Sequence, residues 1–211
     1  MTPGLGGMMN NTTGELEKAL MMQKECVKLC KKSNNQPLLA YSYNLAGVIY
    51  SNLSQYDESI KNLKKCLKIK KELNEPEGVA SALKSIGVIY YYKGQYNQAM
   101  VFHKKSLKQR KEIGYKAVIG ESLSYIADTY KKMGEYDQAI TCYKESLDIM
   151  EFVKDDEEAS KILNRLGNIY RKNVYIPFYF GQKMLTNNYR RNRNDFKKMK
   201  TIFSGKLRPL Q

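Results

Sequence analysis

One histidine, His103, stands in a chain of 211 residues, and that scarcity excludes most catalytic and metal chemistry. A single imidazole leaves no His-based triad and no histidine cluster for a metal, and no Gly-rich phosphate loop follows a strand. The carboxylates fall on expected helix faces and turns, with no pocket to raise their pKa. Neither catalysis, nor a cofactor, nor a metal is therefore expected. Prolines number only five, which leaves long helices uninterrupted. No apolar run approaches the ~20 residues of a membrane span, so no transmembrane segment is expected. The four cysteines (Cys26, Cys30, Cys66, Cys142) are too few and too irregularly spaced for a disulfide framework. Cys26 and Cys30 lie four apart on one helix face, the wrong spacing for a redox pair or a zinc hairpin. Residues 1–13 are rich in Gly and Asn without an apolar stretch, unlike a secretory signal. Buried thiols in a reducing compartment and a cytoplasmic location are the expectations.

Acidic residues are nearly missing from one end of the chain. From Arg171 to Gln211 there are eleven Lys/Arg against Asp195 alone, so +10 of the formal +15 lies there. The remaining +5 is spread over 170 residues. The basicity thus belongs mainly to the C-terminal segment.

What the chain has in abundance is itself. Tyr125–Tyr130 with Gly134–Ile140 recurs 40 residues earlier as Ser85–Tyr90 with Gly94–Met100, and again as Leu45–Tyr50 with Ser54–Ile60. One step forward it recurs as Arg165–Tyr170. Self-similarity at one fixed period marks a repeat solenoid. Within each unit, apolar residues fall at helical spacing over 36–53, 76–93, 116–133 and 155–172, and second helices are expected over 56–73, 96–112 and 136–152. Gly94 and Gly134 mark the intervening turn. Ser59, Ala99 and Ala139 are small where two helices must approach closely. His103 shares the slot of Leu63 and Tyr143, which makes it a packed interface histidine. Asp155–Glu158 and Glu75–Glu77 put acids at helix starts.

The chain therefore divides as follows. Residues 1–13 are expected to be disordered, and 14–172 to form the array. The array comprises a half-repeat 14–35, repeats 36–75, 76–115 and 116–154, and a last helix 155–172. It opens on the second half of a repeat, either as an N-terminal cap or as part of a longer array. After Lys172 the pattern breaks, with Pro177 inside the expected first turn of the next helix. Three readings of 173–211 stay open: a divergent basic cap, a nucleic-acid or acidic-membrane arm, and sequence from a misread exon boundary.

The frame resembles the tetratricopeptide repeat. The signature is carried by Ile86–Gly87, Tyr90, Gly94–Gln95–Tyr96 and Ala99, and by Leu123, Ile126–Ala127, Tyr130, Gly134–Glu135–Tyr136 and Ala139. The unit exceeds the usual length of about 34 residues, and Lys71, Lys111 and Glu151 replace the proline expected late in the second helix. The 40-residue form is similar to that of Leu-Gly-Asn-repeat proteins of the G-protein-signalling-modulator type and of kinesin light chains. Leu166–Gly167–Asn168 matches the triplet, and Lys111–Gly114 the linker. The resemblance implies an all-α, right-handed α-solenoid of antiparallel helix pairs.

It also implies a concave groove, lined by the first helices, that receives a peptide or partner helix. The groove slots carry Asn44, Lys84, Ser124 and Asn164; Val48, Val88, Asp128 and Asn168; Ser51, Tyr91, Lys131 and Arg171; and Tyr41, Ser81, Glu121 and Lys161. The binding candidates are Asn44, Val48, Lys84, Val88, Tyr91, Asp128, Lys131, Lys161, Asn164, Asn168 and Arg171. Asn can bond a peptide backbone, and Lys or Arg can take acidic groups. The carboxylate clamp of chaperone-binding members is not expected: its final pair is present as Lys161 and Arg165, but the preceding positions fall on Lys84, Val88 and Tyr125, where only the lysine is met. A protein-interaction scaffold is the expected function. The alternative is binding of nucleic acid or acidic membrane through the basic tail.

Overall fold

The structure, a computed structural model, describes residues 5–173. Those residues form eight helices and no strand: α1 (Leu5–Lys32), α2 (Gln36–Asn52), α3 (Tyr56–Glu72), α4 (Pro76–Tyr92), α5 (Tyr96–Ile113), α6 (Lys116–Met133), α7 (Tyr136–Val153) and α8 (Asp156–Asn173). The chain divides into two compact units, Met1–Ile169 and Tyr170–Gln211. The first holds the array described below. All three readings of the tail lie outside the described residues.

Each of α1 to α7 ends where the backbone is forced through a left-handed residue. These fall at Asn34, Ser54, Asn74, Gly94, Gly114, Gly134 and Lys154, one every 20 residues, with φ between 51° and 91°. Gly94, Gly114 and Gly134 adopt this conformation freely and Asn tolerates it, whereas Ser54 and Lys154 do so against a steric cost of about 1 kcal/mol each. The next helix is then nucleated locally. The Asn35 side chain accepts from Leu38 N at 3.1 Å, and Asp155 Oδ1 accepts from Glu158 N at 3.0 Å. Pro37 and Pro76 occupy first turns, where the missing N–H leaves no bond unmade.

One expectation is corrected. α1 begins at Leu5, so residues 5–13 are helical rather than disordered. Extending a helix already nucleated by Leu16–Leu20 fixes one residue per added bond, and even Gly or Asn opposes this by only about 1 kcal/mol.

The helices pack as antiparallel pairs into a right-handed superhelix, and the pairing is a knob in a hole. A Cβ added to Gly47 would stand 2.7 Å from Leu63 Cγ, and one on Gly87 2.6 Å from His103 Nδ1. In the third pair the equivalents are Ala127 and Tyr143, both fully buried. Ser59, Ala99 and Ala139, opposite the first helices, have no exposed surface. Hydroxyls in this seam find carbonyls across it. Ser59 Oγ donates to Gly47 O at 2.7 Å, Ser106 Oγ to Ala80 O at 2.8 Å, and Ser146 Oγ to Gly120 O at 2.6 Å. No buried polar side-chain atom among the described residues lacks a partner.

α1 packs on α2 through Cys26, Val27 and Cys30 against Leu39, Ala40 and Tyr43. Gln23 Nε2 donates to Ser42 O at 2.8 Å. All four cysteines are free thiols, and burial pushes those of Cys66 and Cys142 up, away from the reactive thiolate.

A candidate binding face on the first helices

The slots facing away from the second helices form one stripe that changes character along the array. On α2, a helix without any charged residue, the stripe is apolar. Leu38, Tyr41, Leu45 and Val48 recur at helical spacing and are 46%, 61%, 37% and 45% exposed. On α4 the same slots hold Ser81, Ser85 and Val88, the last half-buried. On α6 they hold Glu121, Tyr125 and Asp128, and on α8 Lys161, Arg165 and Asn168.

Two ion-pair clusters tie the charged end together. Lys84 Nζ on α4 reaches Glu121 Oε1 on α6 at 3.2 Å, and Arg110 Nη1 of α5 reaches Glu121 Oε2 at 2.8 Å. Arg110 is buried, and it also donates to Val118 O and Ser122 Oγ. Burial alone would raise the Glu121 carboxyl. The charges and hydrogen bonds of Lys84 and Arg110 outweigh it and hold the group below the usual carboxylate range. In the second cluster Asp128 accepts from Tyr143 Oη at 2.6 Å, pairs with Lys131 at 2.9 Å and faces Arg165 Nη1 at 3.5 Å. Arg165 lies 3.7 Å from Glu158, which also pairs with Lys161 at 3.3 Å.

Rings fill the space between the clusters. Tyr125 stacks on the buried His103 with centroids 5.5 Å apart, and Lys84 Nζ lies over the same tyrosine ring. Burial lowers His103 to a pKa of about 4, an effect that nearby Asp128 partly opposes. It is the packed neutral histidine that its slot implied. Tyr91 meets Tyr96 edge-on, and burial followed by the Asp128 charge pushes its phenol up to about 12.

The eleven candidates fall into three groups. Lys84, Asp128, Lys131 and Lys161 are engaged in ion pairs. Val48, Asn164 and Asn168 are exposed, and Asn44, Val88 and Tyr91 are half-buried beside them. Arg171, exposed on the last turn of α8, falls in the second unit. Ser124, assigned to a groove slot from its register, is instead buried, sharing a hydrogen bond of 3.0 Å with Ser146 Oγ. A small side chain at this boundary slot sinks toward the partner helix, whereas Lys84 is long enough to emerge.

Arg110 and Tyr143 were missed as contributors because they belong to second helices, whose slots read as core. The signal was available, since Arg110 is a charged residue in the slot of Cys30 and Met150. Among the described residues, no group of three His, Cys, Asp or Glu could hold a metal, and no helix is long and apolar enough to cross a membrane.

Helix pairs at a 40-residue step, stacked through one seam, define an α-helical repeat solenoid. The tetratricopeptide-repeat family model matches residues 5–72, 38–112 and 118–173, and the chain belongs to that family. No curated protein matches the sequence closely enough to count as a relative. Solved structures similar to it include the apo form of RapI (21% identity, TM-score 0.70), covering 79% of this chain and 46% of that one. A Rap protein complexed with competence and sporulation factor is 16% identical with TM-score 0.64, covering 75% of this chain and 48% of that one. The kinesin light chain TPR-like repeats of Podosopora anserina are 13% identical with TM-score 0.67, covering 92% of each chain. This chain thus spans less than half the length of the two Rap structures. At these identities the likeness is one of fold.

Proposed function

We propose that this array is a protein-interaction scaffold that binds a peptide or partner helix along the stripe on its first helices. The observation that carries the reading is the exposed row Leu38, Tyr41, Leu45 and Val48 on α2, continuous by register with the charged face of α6 and α8. Packing within the array leaves these apolar side chains in water, and a ligand with aliphatic or aromatic anchors would remove them from it. At the other end, exposed Asn164 and Asn168 offer both donors and acceptors to a peptide backbone. Asp128, Glu158 and Arg165, held by their mutual pairing, present charges in fixed positions. The preferred ligand therefore carries apolar residues at one end and mixed charge at the other. That a Rap protein of this fold was crystallised with competence and sporulation factor supports a ligand-binding reading. So does family membership, which favours binding over catalysis.

The test is selection of peptides from a displayed library on the full chain, followed by titration of the selected peptides at low and high salt. Binding should persist at high salt. It should fall at least about tenfold, roughly 1.4 kcal/mol, when Tyr41 and Val48 are both replaced by Ala. Retention of full affinity in that double variant, or loss of binding with salt alone, overturns the reading.

A further inference from the structure

On the side of α2 away from the stripe, a cleft of about 210 Å³ opens between α1 and α3. Tyr43, Ala46 and Tyr50 of α2 form its floor, and Leu20 and Val27 of α1 line one wall. The three floor residues lie three and four positions apart, on one face of the helix. The helical period turns that face away from Leu38, Tyr41, Leu45 and Val48.

The repeat explains why the cleft is open here. Forty residues on, Phe102 stacks on Tyr90 with centroids 5.4 Å apart and covers the equivalent place. One more step along, Lys104 holds its ammonium over the Tyr130 ring. In the first position Asn62 stands in the slot of Phe102. It brings no ring to lay on Tyr50, and its amide donates to Glu58 O at 2.8 Å.

Four exposed lysines surround the floor, Lys24 and Lys31 from α1 and Lys61 and Lys65 from α3. Among the described residues, the acid lining the cleft with them is Glu58, which pairs with Lys61 at 3.3 Å. Four ammonium groups against one carboxylate leave a surplus of three positive charges. Lys65 is already drawn inward, its Nζ 5.1 Å from the centroid of the Tyr43 ring. Gln23, the second amide of the cleft, donates to Ser42 O, so the lysines are left to meet a ligand.

We infer that this cleft binds a small organic phosphate, a monoester with an aryl or short alkyl body. The body lies on the tyrosine and aliphatic floor, where it leaves water. The phosphate sits among the lysines, whose ammonium groups are compact point charges suited to it. A dianion answers the surplus of charge better than a single carboxylate does. The cleft is smaller than the roughly 300–1,000 Å³ of sites for drug-sized molecules, which limits the ligand to a small one. Cleft and peptide stripe occupy opposite sides of α2, so either can fail without the other.

The test is calorimetric titration of phenyl phosphate into the full chain, beside inorganic phosphate and the variants Asn62→Phe and Lys24→Gln/Lys65→Gln. Phenyl phosphate should saturate a single site with a Kd at or below about 1 mM, at least about tenfold tighter than inorganic phosphate, which has no body to lay on the floor. Asn62→Phe fills the cleft with a ring that position 102 already accepts, and it alters no charge in the cleft or in the basic segment from Arg171 onward. It should melt no lower than wild type and lose the site. Lys24→Gln/Lys65→Gln should weaken binding at least about fivefold and reduce its salt dependence. The absence of saturable binding overturns the inference. Equal affinity for inorganic phosphate overturns it as well, as does binding that Asn62→Phe leaves intact, which would put the anion on the basic segment.

Discussion

His103 fills the hollow left by Gly87: a Cβ on that glycine would stand 2.6 Å from the imidazole Nδ1. The relationship sets opposite outcomes for one substitution at two equivalent sites. Ala gains about 1 kcal/mol over Gly in a helix interior. At Gly87 this is outweighed by overpacking, typically about 1–3 kcal/mol, because the ring is buried and cannot withdraw. Gly87→Ala should lower the urea midpoint, and Gly167→Ala, which meets no described residue within 4 Å, should raise it. Equal shifts at the two positions would refute the packing argument.

The same histidine makes stability fall on mild acidification. Its folded pKa of about 4 lies below the ordinary 6.5, so above pH 6.5 both states are neutral and no slope arises. Between pH 6.5 and 4 the unfolded chain binds a proton that the folded chain refuses. Stability should drop across that window by up to about 3 kcal/mol, and by nothing further from this group below it. His103→Leu, the residue type already accepted at position 63, should flatten that part of the profile in urea titrations at stepped pH.

Glu121 governs a lower window. Its depressed pKa contributes stability that is present above the ordinary carboxylate value and is lost as pH falls through the folded one. Glu121→Ala removes the carboxylate partner of the buried Arg110, a change of the kind that costs about 3–5 kcal/mol when a buried charge is stranded. Arg110 keeps Val118 O and Ser122 Oγ, so the loss should be nearer 2 kcal/mol by chemical denaturation. A loss below about 0.5 kcal/mol would mean that the pair is solvated.

Tyr143→Phe removes one hydroxyl, which donates to Asp128 and accepts a longer bond from Lys131. The ring stays in its slot, Asp128 keeps Lys131 and Arg165, and only the phenol is lost. About 1–2 kcal/mol of stability should disappear with an unchanged denaturant slope. Because burial and then the Asp128 charge hold this phenol's pKa up, wild-type Tyr143 should stay protonated well above the ordinary phenol range in alkaline spectrophotometric titration.

The fold was legible because the 40-residue step fixes which slots face a partner helix, and no long-range guess is required. Ser59, Ala99 and Ala139 announced the close approach of helices, and Gly94 and Gly134 the turns. What the step could not reveal was how far a side chain travels from its Cα. Ser124 and Lys84 share a slot, yet one is buried on Ser146 and the other pairs with Glu121. Nor did it disclose the route by which Arg110 enters the charged cluster, because that route follows side-chain length and the position of Glu121 on the next helix. The helical start at Leu5 was hidden by composition, since Gly and Asn oppose nucleation far more than they oppose continuation of a helix begun elsewhere.

A chain of similar units runs a risk while folding: a second helix can settle on the first helix of the wrong unit. The Tyr143–Asp128 bond acts against this error. In α2 and α4 the slot of Asp128 holds Val48 and Val88, so an α7 misplaced by 40 or 80 residues would bury its phenol without that acceptor. An unmet hydroxyl costs about 1–3 kcal/mol, enough to shift occupancy between otherwise similar docking positions by roughly tenfold or more. The Tyr143 knob therefore works as an address. A copy of α7 moved to an earlier repeat would arrive at a valine where its hydroxyl needs the Asp128 carboxylate.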